Sequence, residues 1–320
     1  MSGKLKAAVI GASGIGKHHA KWYALEGLEV VAFAGSTPET VARTGRAMAE
    51  LFGFSGRGYT SVTELLTRER PDVVSVCSPH VIHRQHTVQC LEAGAAVLCE
   101  KPLVWDVAMD RPQMLAQARL MLEAAARTGR LLAINTQYVA VVPALDRLFP
   151  PHAPITDLYF RMESKGGVSG PNKWDEIWID LASHPLSLVL AYLPGCTLDE
   201  DSITCHIRED ETVAEFRVKA STGPCRVRID LRNVYEGPLR RQVGVNGTIA
   251  DLAGRNDEHG VYRTYLKVGE QEASCDDLVQ ICIRRFLGAL AGQGEPLATA
   301  DEGYRNLDFQ LAIFERAERG

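Results

Sequence analysis

From Lys6 to Asn135, short apolar runs alternate with longer amphipathic stretches without a break. The run 6–10 is closed by a glycine-rich turn, and the helical pattern behind it ends at Gly27. Further strand patterns lie at 28–34, 72–77, 95–99 and 131–135. Helical patterns fill 38–52, 61–69, 81–93 and 106–128, the last two closed by Gly94 and Gly129. Pro38 stands in the first turn, where a residue without an N–H costs nothing. Strict alternation of this kind predicts an α/β domain with a doubly wound parallel sheet.

After Tyr138 the pattern changes. A short helix near 143–148 precedes a strand around 155–164, a glycine-rich loop from Gly166 to Gly170, and an apolar helical segment ending near Leu193. Consecutive strand patterns follow at 202–208, 212–219, 225–233, 240–245 and 247–252, and two helical patterns at 276–291 and 299–319 close the chain. Consecutive strands with short turns predict an α+β domain with a large, mainly antiparallel open sheet. Two domains are also what 320 residues lead one to expect, and the change of pattern divides them as 1–135 and 136–320. Two or three helices cover only one face of such a sheet, so its other face is expected to meet a partner subunit.

Composition narrows the class. Hydrophobic residues at 46% and charged residues at 23% are ordinary for a soluble protein, and a net charge of −5 offers no basic footprint for nucleic acid. The eight cysteines form no CxxC pair or Cys/His cluster, which predicts reduced thiols, no metal centre and a cytoplasmic setting. The first apolar run is too short for a signal peptide or a membrane span.

Candidate chemistry lies at the ends of the predicted parallel strands, where α/β enzymes keep it. The turn GASGIG puts Gly11, Ser13, Gly14, Ile15 and Gly16 between a strand and a helix, the context in which backbone amides cradle a dinucleotide pyrophosphate. Ser13 stands where the usual fingerprint has its second glycine. The next strand ends in Phe33-Ala34-Gly35-Ser36-Thr37, with no acid to bond the ribose hydroxyls of NAD. Ser36 and Thr37 instead offer donors and room for a phosphate, so the cofactor is read as NAD(P) with a lean to NADP(H). The segment CSPHVIH supplies Ser78, His80 and His83 as cofactor contacts, the two histidines being open also to a substrate contact or to a place in a helix start. The run Leu98-Cys99-Glu100-Lys101-Pro102 brings an acid and a lysine to the end of a buried strand, with Pro102 fixing the exit and able to form a cis peptide with Lys101.

These three segments, 11–16, 77–83 and 99–102, converge on one sheet edge. Together they resemble the glucose-fructose oxidoreductase / inositol dehydrogenase / MocA (Gfo/Idh/MocA) family of NAD(P)-dependent oxidoreductases. The resemblance runs along the whole chain: GASGIG with His18-His19, CSPHVIH, CEKP, then Asp180-Leu181-Ala182-Ser183-His184 and the tail from Gly294. It implies a Rossmann first domain, a substrate-binding and oligomerising second domain, and a homodimer or homotetramer. By resemblance Lys101 is the active-site lysine, His184 the general acid/base and Asp180 its orienting partner. The cofactor-binding set is Gly11, Ser13, Gly14, Ile15, Gly16, Ser36, Thr37, Ser78, His80, His83, Glu100 and Lys101. Ser13, Ala182 and Ser187 depart from the family pattern, and Ser187, where many members have aspartate, bears on substrate class.

Asp180 and His184 are four residues apart and would share one face of a continuous helix. Pro185 argues for a helix start near His184, which leaves Asp180 as a capping residue in the alternative. Tyr138, Trp174 and Trp178 would either wall a sugar-like substrate or pack in a core. The expected activity is hydride transfer between nicotinamide and a sugar, polyol or related cyclic alcohol or carbonyl. Its competitors are a non-redox lyase or glycosidase with tightly held NAD, and a cofactor-binding regulator without turnover.

Overall fold

Six strands build the parallel sheet of the first unit, in a computed structural model that describes residues 4–149, 154–166 and 173–320. They are β1 (Lys6–Ile10), β2 (Glu29–Ala34), β3 (Arg57–Tyr59), β4 (Val73–Val76), β5 (Ala96–Glu100) and β6 (Leu132–Asn135), in the spatial order β3-β2-β1-β4-β5-β6. Every neighbouring pair is parallel. The connecting helices are α1 (Lys17–Leu25), α2 (Pro38–Phe52), α3 (Val62–Glu69), α4 (His83–Glu92) and α5 (Arg111–Thr128). Three of them start at a side-chain cap: in α2 Thr37 accepts from the amide of Thr40, in α3 Ser61 accepts from that of Glu64, and in α5 Asp110 forms a capping box with Gln113. β4, β5 and β6 are buried at every position because helices cover both faces. The strand order reverses direction between β1 and β4, and their diverging connections leave the crevice in which such sheets bind ligands.

The first unit comprises Met1–Thr136 and Val279–Tyr304, so the chain returns to it late. Val279, Cys282, Ile283 and Phe286 pack with Ala7, Trp22, Tyr23, Val73 and Leu98 into one core. The tail therefore does not lie wholly in the second unit, as a single boundary at 135/136 would have it.

The second unit, Gln137–Leu278 with Arg305–Gly320, holds a nine-stranded sheet. Its elements begin with α6 (Val142–Leu145), β7 (Asp157–Lys165), α7 (Lys173–Leu181), α8 (Ser183–Tyr192), β8 (Thr197–Arg208), β9 (Glu211–Ala220) and β10 (Gly223–Val234). They continue with β11 (Arg241–Val245), β12 (Thr248–Asn256), β13 (Tyr262–Val268), β14 (Gln271–Asp276) and β15 (Ala317–Arg319), while α9 (Leu278–Leu290) belongs to the first unit from Val279 onward and α10 (Ala300–Glu315) to the second from Arg305. The order is β14-β13-β12-β11-β7-β10-β9-β8-β15, with only β7/β10 and β8/β15 parallel. Leu158, Phe160 and Met162 of β7, Val227, Ile229 and Leu231 of β10, and Ala214, Phe216 and Val218 of β9 are buried with period two. The positions between them are polar and cross-linked by ion pairs: Arg226–Asp157 at 2.9 Å, Arg161–Glu163 at 2.6 Å and Arg232–Asp230 at 2.8 Å. β13, β14 and β15 add to the strand pattern of the sequence, and the last turns the end of the tail from helix to strand. The glycine-rich loop beyond Gly166 lies outside the described residues.

Among the described residues no helix is long and apolar enough to cross a membrane. The eight cysteines are all unpaired.

Candidate functional site

The glycine turn Ala12–Gly16 runs from β1 straight into α1. Gly11 has φ +85°, and a Cβ there would lie 2.4 Å from the carbonyl oxygen of Cys77 at the end of β4. A Cβ on Gly16 would lie 2.5 Å from the carbonyl oxygen of Gly11. These two glycines let the ends of β1 and β4 close on each other at the switch point. Gly14 is different: nothing lies within 4 Å of the place its Cβ would take. Ser13, Gly14 and Ile15 are exposed there, ahead of the N-terminus of α1. A tight inner glycine pair and an open outer one at a helix N-terminus fit the pyrophosphate of a dinucleotide.

At the end of β2 the amide of Gly35 donates to the carbonyl of Tyr59, and Ser36 and Thr37 are exposed. Glu39, in the first turn of α2, is turned onto its own amide and the Thr37 hydroxyl, which lower its pKa. No acid stands at the strand end itself.

The 77–83 segment departs from expectation at His83. The ring is 1% exposed, with Nδ1 2.9 Å from the carbonyl oxygen of Pro102 and Nε2 2.7 Å from that of Ser78. Both nitrogens face backbone carbonyls, to one of which the single N–H of the neutral ring donates, so His83 packs between the two strand-end loops and does not face a cofactor. Burial pushes the imidazole pKa down to about 4, outweighing the upward pull of the two carbonyls. Ser78 is nearly buried, its hydroxyl 3.0 Å from Nδ1 of His86, while His80 opens the short 3-10 turn and is half-buried.

The unfolded chain protonates His83 near pH 6.5 while the folded one stays neutral down to about pH 4, so stability falls as the pH drops through that window. The loss is about 3 kcal/mol at most. In urea unfolding followed from pH 7 to 4, His83→Gln should be less stable at neutral pH yet show a flatter decline. An unchanged slope would dismiss His83 as the titrating group.

Glu100, the last residue of β5, is also turned inward. Its Oε1 is 3.0 Å from Nε2 of His19 and accepts from the side-chain amide of Asn135, and its Oε2 accepts from the amide of Lys101 at 3.3 Å. His19 is held in turn by Nδ1 at 2.9 Å from the Ser75 hydroxyl, which lies 2.8 Å from the Tyr23 hydroxyl. Burial alone would raise the Glu100 pKa, but the bond to His19, the charges of His19 and Lys101 and the Asn135 amide together hold it well below the carboxylate range. Glu100 is thus the buried anchor of the strand end, not a group open to a cofactor. Lys101, half-buried, is the first residue beyond the strand, and its peptide with Pro102 is cis.

His19, Cys77 and Glu100 place possible metal-ligating atoms within 4.8 Å of one another. The donor set is unsuited to an ion: both ring nitrogens of His19 and both carboxylate oxygens of Glu100 are engaged in hydrogen bonds, and burial raises the Cys77 thiol well above its usual range.

In the second unit, Ala182 between α7 and α8 has helical dihedrals. The amide of Ala182 bonds to Trp178 and that of Leu186 to Ala182, so the helical path is nearly continuous. Asp180 therefore sits inside α7 and is exposed; it does not cap α8, which has no side-chain cap. Pro185 falls in the first turn of α8, and His184 is 6% exposed with its ring 4.8 Å from that of Tyr138. Tyr138 lines a cavity of this unit. Trp178 does not: it is fully buried and donates to the carbonyl of Gln310 at 3.1 Å, a core residue and no substrate wall. Trp174 is half-buried on the first turn of α7.

Ser187 is also absorbed by packing. Its hydroxyl donates to the carbonyl of Ser183 and accepts from the side-chain amide of Asn306, both at 2.8 Å. Gln310 accepts from the Ser183 hydroxyl and donates to the carbonyls of Trp178 and Ile179. Two amides of α10 thus clamp the helical path that carries Asp180 and His184. Neither these amides nor the partners of Glu100, His19 and Asn135 are signalled by sequence spacing, since the bonds span between 35 and 132 residues. His19 alone had a hint, standing in the His18-His19 pair behind the glycine turn.

Comparison with known proteins places the chain. Residues 5–136 match the model of an oxidoreductase family with an NAD-binding Rossmann fold, GFO_IDH_MocA. D-glucoside 3-dehydrogenase of Escherichia coli (strain K12) is 38% identical over 137 residues, a stretch covering 42% of this chain and 35% of that enzyme. 1,5-anhydro-D-fructose reductase of Ensifer adhaerens is 27% identical over 315 residues, 89% of each chain. Among solved structures, UDP-N-acetylglucosamine 3-dehydrogenase GnnA of Acidithiobacillus ferrooxidans superposes with a TM-score of 0.73 over 99% of both chains at 19% identity, a likeness of fold.

Proposed function

We propose, for a chain whose residues 5–136 match the Gfo/Idh/MocA family of NAD(P)-dependent oxidoreductases, that Lys101 and His184 carry hydride transfer on a sugar, polyol or related cyclic alcohol. In the oxidative direction the hydroxyl proton passes to His184, a carbonyl forms, and the C–H hydride leaves with its electron pair for the nicotinamide. NAD(P), when bound, supplies or accepts that hydride. Lys101 bonds the reacting oxygen and favours its alkoxide character, while Asp180 acts through His184 as a positioning residue. The observation that supports this reading most is the anchoring of Glu100, which presents Lys101 immediately beyond β5 on a rigid strand end. The test is a panel of sugars and polyols with the reduced-nicotinamide band as readout. Substrate consumption without any net change in that band would replace this reading by non-redox chemistry on held NAD.

We further infer a preference for NADP(H), from exposed Ser36 and Thr37 and the missing acid at the end of β2. NADPH should bind about tenfold more tightly than NADH by calorimetry, and Ser36→Asp should reverse the order. Equal affinities in the wild type would end the inference. The unpaired cysteines support a reducing, cytoplasmic setting. The polar face of the nine-stranded sheet supports a homodimer or homotetramer, which a monomeric mass by light scattering would refute.

A further inference from the structure

Arg241 stands at the head of β11 opposite Met162 of β7, on the sheet face it shares with Val243, which is buried. A guanidinium on that apolar face is out of place unless something pairs with it. Elsewhere in the sheet arginines are paired: Arg226 with Asp157, Arg161 with Glu163, Arg232 with Asp230, Arg255 with Glu272 and Arg263 with Asp257. Arg241 has no carboxylate within 4 Å among the described residues. The Tyr138 ring lies 5.9 Å from its guanidinium carbon.

Both residues line a cavity formed within the second unit, together with Gln137, Tyr262, Thr264 and Asp277. Hydroxyls of two tyrosines and a threonine, one amide and one guanidinium make the lining rich in donors. Asp277 is its one acid, beyond ion-pair distance of Arg241 and engaged elsewhere. Tyr138 holds its proton firmly, since burial raises its pKa to about 12 against the lowering effect of Arg241. It is a donor at any ordinary pH. The same Tyr138 ring lies against His184, which fixes this cavity beside the proposed acid/base group.

We propose that the second-unit cavity binds an oxyanion carried by the substrate, a carboxylate or a phosphate, with Arg241 as its counter-ion and specificity-determining residue. This rests on the hydride-transfer reading and narrows its substrate class from sugars in general to acidic sugars. A carboxylate or phosphate takes the planar fork of a guanidinium in two parallel bonds, a pairing that lysine reproduces only in part.

The probes are D-glucuronate for the carboxylate, D-glucose 6-phosphate for the phosphate, and D-glucose as the neutral control. They are applied to the NAD(P)H-saturated protein by calorimetry and to the NAD(P)-saturated protein by nicotinamide absorbance. At least one oxyanion probe should be favoured over D-glucose by about 30-fold in affinity or kcat/KM. Arg241→Met should reduce that discrimination below about threefold, and Arg241→Lys should restore part of it. Retained thermal stabilisation by NAD(P)H certifies that the variants are folded. Equal binding of all three probes to the wild type, binding of none, or discrimination untouched by Arg241→Met would each overturn the proposal. Should no probe be turned over while oxyanion binding still depends on Arg241, the hydride reading fails and the oxyanion site stands.

Discussion

Lys101→Ala should leave a folded protein that binds NAD(P)H within about threefold of wild-type affinity and turns over its substrate about a thousandfold more slowly. The separation of the two effects comes from the local architecture. What holds the strand end is the carboxylate of Glu100, gripped by His19 and Asn135 and by the backbone amide of Lys101, with the Lys101 charge a lesser aid than His19. Truncating the Lys101 side chain leaves all these hydrogen bonds in place. The glycine turn likewise depends on the backbone of Cys77 and not on the lysine. The loss should therefore appear in kcat more than in cofactor affinity, as expected for an interaction that strengthens when charge develops on the reacting oxygen. Lys101→Arg should recover little, because a planar fork cannot occupy the place of a compact ammonium. Stopped-flow and steady-state rates with the best substrate of the sugar panel decide the matter, and near-normal turnover in Lys101→Ala would remove the lysine from the mechanism.

The path from sequence to site was open where the signal is local. Alternating strands and helices fix the parallel sheet, because period-two and period-3.6 burial are written in neighbouring residues. GASGIG shows its purpose for the same reason: a turn that crowds Gly11 and Gly16 against backbone can hold only glycine. Short or polar strands escape such reading. Arg57–Tyr59 has three residues, and Gln271–Asp276 has no buried position, so neither displays an alternation strong enough to see. Side-chain roles were legible only where their partners were near. His83 reads as a ligand in CSPHVIH until the carbonyl of Pro102, 19 residues on, is found at its Nδ1. Trp178 reads as a substrate wall until Gln310 is found beneath it, 132 residues on. Arg241 gives no local sign at all, since an arginine that starts a strand is ordinary until its face of the sheet is known. Buried polar groups are the common element: burial obliges each to find a partner, and the partner's identity belongs to topology.

The second large effect falls on the switch point. Gly11→Ala should destabilise the apo protein by about 4 kcal/mol or more, lowering its melting temperature by roughly 10 °C. Two costs add there. An L-residue at φ +85° loses about 1–2 kcal/mol to its own backbone. The remainder is crowding: the new methyl meets the Cys77 carbonyl oxygen at 2.4 Å and the Ser78 nitrogen at 2.6 Å, and both belong to the backbone at the end of β4, which cannot swing aside as a side chain does. Gly53→Ala separates the two costs. That glycine closes α2 at φ +76°, also left-handed, and its added Cβ has nothing within 4 Å. It should cost only about 1 kcal/mol. The difference between the two variants, measured by chemical denaturation without cofactor, is the energy of the β1–β4 contact that shapes the crevice. If the two variants lose equal stability, the close approach at the switch point carries no cost, and crowding against Cys77 is not why glycine stands at position 11.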